Sequence, residues 1–281
     1  MRAVRVIGVG AATAGGAALW LKAQGQDSEC LNANTEESCR ALGLPTPAEA
    51  QRLPAVRLPA FLSDAEIQSL CAEIAHAQIE QHVGMLERDV NESPTAFGVW
   101  RTSYLHTGGF LRRRMPELHA KLRRAMTAVD AEHWQLLSQK DNARLHLRTC
   151  ECHEYGAGGG LRADNHYDAG SCITIDVMLA EPGVDFEGGA LVMPEGQAED
   201  DGSASAYGRP RFDRGDAVVF PSHKLHNVEP VTQGKRMVLV AELWEGPEKE
   251  CAHRCLTAGQ CGYTLNNSHM KDYAQQIAQL G

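Results

Sequence analysis

The sequence predicts an α+β domain, in which two helices feed an antiparallel β core. Three observations lead there. Apolar residues recur at helical spacing in two segments before about residue 140. After Asn142, short apolar runs separated by Gly, Pro and Asp take over, spaced as in a sandwich or barrel of antiparallel strands. The chain has 281 residues, 43% hydrophobic and 22% charged, enough to bury one large core. With 27 Lys and Arg against 36 Asp and Glu the net charge is −9, so no general attraction to nucleic acid or anionic membrane is expected. The absence of a Gly-X-Y period, a heptad run or a longer repeat excludes collagen, coiled coil and solenoid.

Taken in order, Arg2 and Arg5 precede an apolar stretch at 6–21, shorter than the ~20 residues a bilayer span requires. Small residues follow at Ala23 and Gly25, so residues 1–25 read as a cleavable secretory signal. An uncleaved signal-anchor is the first alternative, and an organelle-targeting or buried segment the second. Either of the first two sends the chain to the secretory pathway and endoplasmic reticulum, with membrane contact only through residues 1–25. Residues 26–55, polar and containing Pro45, Pro47 and Pro54, read as a tether with little structure of its own. A short strand is expected at 56–62.

Ser63 and Glu66 have capping-box spacing, and Ile67, Leu70, Cys71 and Ile74 follow on one face of a helix reaching about His82. Residues 83–110 read as irregular. A second helix starts near Pro116, with Leu118, Leu122, Ala125 and Val129 on one face. Strands are expected at 143–149, 172–179, 190–193, 217–220 and 237–243, with 195–209 an exposed loop. The domain is placed at 56–246, and 247–281 is a cysteine-containing tail with a helix at 263–280. Cys30 and Cys39 at one end, and Cys251, Cys255 and Cys261 at the other, would staple the tails if oxidised. The alternative is that several of the nine cysteines are buried thiols. Cys150, Cys152 and His153 with Cys251, His253 and Cys255 match no structural zinc spacing.

The chemistry lies in the β region. In His166-Tyr167-Asp168, alternate side chains of an extended segment point the same way, bringing one imidazole and one carboxylate together. His226 stands just past the apolar run 217–220. Two His and one carboxylate with half the coordination sphere open suit non-haem Fe(II) oxygen chemistry. Ten residues on, Arg236 opens an apolar strand; a cation there is costly to desolvate unless an anion meets it, and its fork matches a carboxylate. A carboxylate-bearing cosubstrate that also chelates the metal would meet both demands.

These residues, together with several flanking segments, resemble the Fe(II)- and 2-oxoglutarate-dependent dioxygenases, in the branch of prolyl 4-hydroxylases and procollagen lysyl hydroxylases. The similar segments include Phe61-Leu62-Ser63-Asp64, Arg101-Thr102-Ser103, Tyr155 with its glycine-rich turn, and Asp185 to Leu191. Arg214 to Phe220 and Pro230 to Arg236 complete them. The resemblance implies a double-stranded β-helix, a cupin-like jelly roll with N-terminal flanking helices. It implies iron held by His166, Asp168 and His226, and the distal carboxylate of 2-oxoglutarate on Arg236, assisted by the Tyr155 hydroxyl. Leu191 stands where those enzymes often carry a Thr that helps hold the cosubstrate, and Thr174 is a substitute candidate.

The activity implied is hydroxylation of a prolyl or lysyl side chain of a protein or peptide, using O2, with succinate and CO2 as co-products and ascorbate keeping iron reduced. A small metabolite or free amino acid is the alternative substrate. A catalytically silent jelly-roll binding module is the reading from a different class. Lesser candidates are His223 as a rival ligand, Trp244 as a core or substrate-mouth aromatic, and Arg112 to Arg114 with Arg123 and Arg124 as a solvated basic face.

Overall fold

A computed structural model describes residues 39–40, 42–81, 86–87, 98–162, 166–194 and 207–251. The segments read as signal and C-terminal helix, with Cys30, Cys255 and Cys261, lie outside these residues.

The helices form where the sequence caps them. In helix α1 (Pro47–Ala50) and helix α2 (Asp64–Glu80), Thr46 with Glu49 and Ser63 with Glu66 satisfy each other's free amides reciprocally. The α2 stripe Ile67, Leu70, Ile74 and Ala77 is buried. The short α3 (Phe110–Arg114) leads into α4 (Pro116–His133), which opens on a proline and buries Leu118, Leu122, Met126 and Val129.

Twelve strands are described. They are β1 (Val56–Leu58), β2 (Leu86–Glu87), β3 (Val99–Tyr104), β4 (Leu145–Tyr155), β5 (Ile173–Met178), β6 (Phe186–Gly188), β7 (Leu191–Pro194), β8 (Tyr207–Gly208), β9 (Ala217–Pro221), β10 (Asn227–Val228), β11 (Val231–Gly234) and β12 (Arg236–Glu245). The major sheet runs β1-β9-β5-β12-β4-β3-β2, antiparallel at every step. Two small sheets, β10-β7-β8 and β11-β6, complete the α+β jelly roll.

Strand alternation divides the core in two. One face of the major sheet, through Leu147, Cys150, Cys152, Ile173, Ile175, Val177, Val219, Leu239, Ala241 and Leu243, packs against α2 and α4. The opposite face turns Tyr155, Met178, Val218, Phe220 and Val238 toward Phe186, Leu191, Met193, Val228 and Val231 of the small sheets. This second face is the interior of the roll. Gly234 sits at the β11–β12 corner with φ 76°, where an added Cβ would stand 2.1 Å from the Asp185 carbonyl oxygen. Only glycine allows the chain to turn there and deliver Arg236 to the interior.

Three sequence expectations are corrected. The region read as irregular contains β3, which pairs with β4 from Trp100–Tyr155 to Tyr104–Glu151. Strand β4 continues past 149 to Tyr155, its polar residues alternating inward. The described part of the tether is structured: Leu44 and Ala50 are buried and α1 packs beside the 222–225 turn. Its ordering comes from contacts with residues distant in sequence, which local composition does not encode.

Candidate metal centre and anion pocket

The interior floor of the major sheet reads as rungs. Tyr155 faces Arg236; His153, Val238 and Met178 form the next rung; Glu151, Val240, Asp176 and Val218 the third; Thr149, Glu242, Thr174 and Phe220 the fourth. At the Thr174 end the two loops bearing the predicted metal ligands meet. The Asp168 amide donates to the Ser222 carbonyl and the His226 amide to the His166 carbonyl, so each loop holds the other.

His166, Asp168 and His226 converge, with one ligand atom from each lying within 4.8 Å of the others. The two Nε2 atoms are 3.7 and 3.8 Å from the Asp168 carboxylate oxygens. His226 Nδ1 donates to the Lys224 carbonyl at 3.0 Å, which fixes the tautomer and leaves Nε2 as the lone-pair donor. Asp168 accepts from the Thr174 hydroxyl at 2.7 Å, and Thr174 in turn meets Ser222 at 2.9 Å. Two imidazole nitrogens and a carboxylate on one side, with the other side facing the interior, fit a divalent metal of the Fe(II) type. Thr174 therefore orients a metal ligand; the candidate role of holding the cosubstrate passes to other residues.

Arg236 is fully buried, and none of its three guanidinium nitrogens has a hydrogen-bond partner among the described residues. Burial depresses its pKa, while Tyr155 and Asp176 favour its charged form. The guanidinium carbon lies 5.9 Å from the centre of the Tyr155 ring. An unpaired buried cation costs several kcal/mol, so this geometry describes a site built for an anion that arrives from outside. A dicarboxylate chelating the metal at one end and reaching Arg236 at the other fits it. Leu191 is buried in the interior core and offers no polar atom.

The remaining candidates fall elsewhere. His223 Nδ1 donates to the Pro45 carbonyl at 2.8 Å and its ring packs edge-on against Tyr167, so it stays outside the metal cluster. Burial lowers its pKa. Trp244 is a core residue whose Nε1 donates to the Pro247 carbonyl, with Arg148 and Lys249 near its ring. Arg112 and Arg114 pair with Glu248, Glu250 and Glu73 at the surface. Cys150 and Cys152 are buried thiols whose pKa values burial drives upward, and they lie outside the His166, Asp168 and His226 cluster.

Sequence reasoning missed the support around the metal loop. Gln51 accepts from the Leu225 amide and donates to the His223 carbonyl, while the buried Lys224 ammonium donates to the carbonyls of Gln51 and Leu53. It also missed a buried pair below the fourth rung, where Arg148 lies 3.3 Å from Glu242 and both meet Ser171. No local signal marks the first group. Inward parity marks Glu242 of the second, while Arg148 sits where the β4–β12 register shifts and parity does not mark it.

Fold and site together describe a jelly roll with a His-Asp-His cluster that could hold a metal and a buried guanidinium on the same interior face. Residues 150–244 match the family model described as the 2OG-Fe(II) oxygenase superfamily. A PKHD-type hydroxylase of Sphingopyxis alaskensis is 39% identical over 84 residues, 29% of this chain and 30% of that protein. A PKHD-type hydroxylase of Gloeothece citriformis is 36% identical over 101 residues, 34% and 42% of the two chains. The chain thus spans less than half the length of the curated relatives it matches. Among solved structures, a Pseudomonas putida prolyl-4-hydroxylase superposes with a TM-score of 0.50 at 16% identity, covering 72% of this chain and all of that one; the likeness is one of fold.

Proposed function

We propose that the protein is an Fe(II)- and 2-oxoglutarate-dependent hydroxylase acting on a prolyl or lysyl side chain of a protein substrate. The single observation that supports this most is the orphaned Arg236 guanidinium, buried on the same interior face that the triad closes. A silent binding module has no use for a buried cation facing an open metal face. The PKHD-type hydroxylases among the similar proteins support the hydroxylase class.

His166, Asp168 and His226 would hold the iron, with Lys224 and Thr174 fixing the orientation of His226 and Asp168. Arg236 would bind the distal carboxylate of 2-oxoglutarate, with Tyr155 as the wall beside it. Bound iron and cosubstrate supply the oxidising power to hydroxylate a C–H bond with O2, releasing succinate and CO2. The protein contributes alignment and a dry interior: Phe220, Val218, Leu191 and Val228 exclude water around the polar floor. Ascorbate is the expected reductant for iron oxidised in unproductive turnovers, and the secretory pathway the expected compartment.

The test is succinate formation from 2-oxoglutarate by the purified chain with Fe(II), ascorbate and air, followed by screening of proline- and lysine-containing peptides. His166→Ala and Arg236→Ala are expected to abolish turnover. If neither Fe(II) nor 2-oxoglutarate binds the unsubstituted chain under anaerobic conditions, the oxygenase reading fails.

A further inference from the structure

The polar floor contains a carboxylate that the proposed chemistry does not use. Asp176 is buried in the middle of β5, and strand alternation turns it, with Thr174 and Met178, toward the interior. Register places it on the rung of Glu151, Val240 and Val218, two rungs from Arg236. The other inner acids are occupied. Glu151 accepts from the Thr149 hydroxyl and lies 3.2 Å from His153 Nε2, and Glu242 accepts from Ser171 beside Arg148. The Asp176 carboxyl has no hydrogen bond or ion pair among the described residues.

The charged and titratable groups around it are His226 and Asp168 from the metal loops, Arg236 from β12, and His153 from β4, with Glu151 further along its rung. The backbones of Arg236 and Asp176 stand about 13 Å apart along the strands, at ~3.3 Å per residue, and the two side chains feel each other's charge without forming an ion pair among the described residues. A ligand reaching from the triad to Arg236 passes Asp176. Iron(II), Asp168, Arg236 and a dicarboxylate dianion sum to zero charge. An ionised Asp176 would leave one buried negative charge with nothing to balance it. A protonated Asp176 keeps the site neutral and gives its O–H a carboxylate to donate to, a strong charge-assisted bond.

Resting on the oxygenase reading above, we propose that Asp176 is a cosubstrate-binding residue that donates a hydrogen bond from its protonated carboxyl to bound 2-oxoglutarate, so that binding takes up a proton. Burial already favours this state, raising the carboxyl to about pH 6 before any dianion arrives. Neighbouring metal-ligand protonation has the opposite sign: it would weaken binding as pH falls, whereas Asp176 weakens binding as pH rises.

The experiment is anaerobic calorimetry of 2-oxoglutarate binding to the full chain loaded with Fe(II), run at pH 8 in two buffers of different ionisation enthalpy and repeated across pH 7–9. The expected result is uptake of about one proton and an affinity that falls by up to about tenfold per pH unit. Asp176→Asn, which keeps a neutral donor, is expected to abolish the uptake, flatten the pH dependence and bind at pH 8 at least as tightly as the parent. No proton uptake by the parent overturns the proposal, and so does a loss of about tenfold or more at pH 8 in Asp176→Asn, which would mean that the ionised form pairs with a cation. The two-buffer measurement on the parent decides the matter even if the variant does not fold. If the parent does not bind 2-oxoglutarate at all, the oxygenase reading falls first, a result separable from binding without proton uptake.

Discussion

Arg236 shows how much a single residue can reveal. A cation at the start of an apolar run is legible in sequence because its burial is expensive without an anion, and among the described residues none hydrogen-bonds its three nitrogens. Removing it by Arg236→Ala should weaken anaerobic 2-oxoglutarate binding by ~30-fold or more, the cost of truncating one partner of a buried charge pair. Arg236→Lys restores charge without the planar fork and should recover only part of that affinity. Thr174 was legible as a polar residue in a buried strand, yet its role depends on where the Asp168 loop folds back, and adjacency in sequence does not report that. Thr174→Val should lower Fe(II) affinity by ~10–100-fold in a competition titration with a chelator, and Thr174→Ser should restore it. The inner acids Glu151, Asp176 and Glu242 went unmarked because each is one polar letter in an apolar or mixed run; only strand parity tells that they share the interior.

At the scale of elements, helices α2 and α4 were readable from capping and periodicity because those signals are local. Strand β3 and the second half of β4 were not, since Arg101, Glu151, His153 and Glu154 break the apolar pattern while their partners lie across the sheet. Glu154 is buried, which alone would raise its pKa, but Arg101 and Lys235 hold it lower and ionised. The segment from Pro45 to Leu53 belongs to the same class of invisible contact, because it is ordered by the turn carrying His226. Gln51→Ala removes two hydrogen bonds to that turn. It should raise the metal dissociation constant several-fold, an effect readable by the chelator titration, with a thermal midpoint lowered by a few degrees at most.

The architecture as a whole was legible as an antiparallel roll fed by helices, because the change from helical to strand-like spacing after Asn142 spans half the chain. Its electrostatic balance was not, since it depends on which charges share the interior. For the metal-free chain this has a measurable sign. Asp176 has a folded pKa of about 6 against an ordinary value of 3.8, so its neutral form favours folding at low pH and that contribution is lost as pH rises through about 6. Asp176→Asn should therefore melt above the parent at pH 8 and match it near pH 4. The buried Arg148 has the opposite character: Arg148→Met strands Glu242 and should cost ~3–5 kcal/mol in denaturant unfolding, while adding Glu242→Leu should recover most of it.

The pairing of β1 with β9 joins Val56 to Val219 across most of the domain. On a translating ribosome, at ~5–20 residues per second, the first strand is exposed roughly ten to thirty seconds before its partner exists. The edge of the sheet, the turn bearing His226 and the contacts of the segment that steadies that turn can close only after that point. The candidate metal cluster is thus completed only after β9 and the His226 turn have been made, and a nascent chain halted before β9 would carry His166 and Asp168 without the third donor.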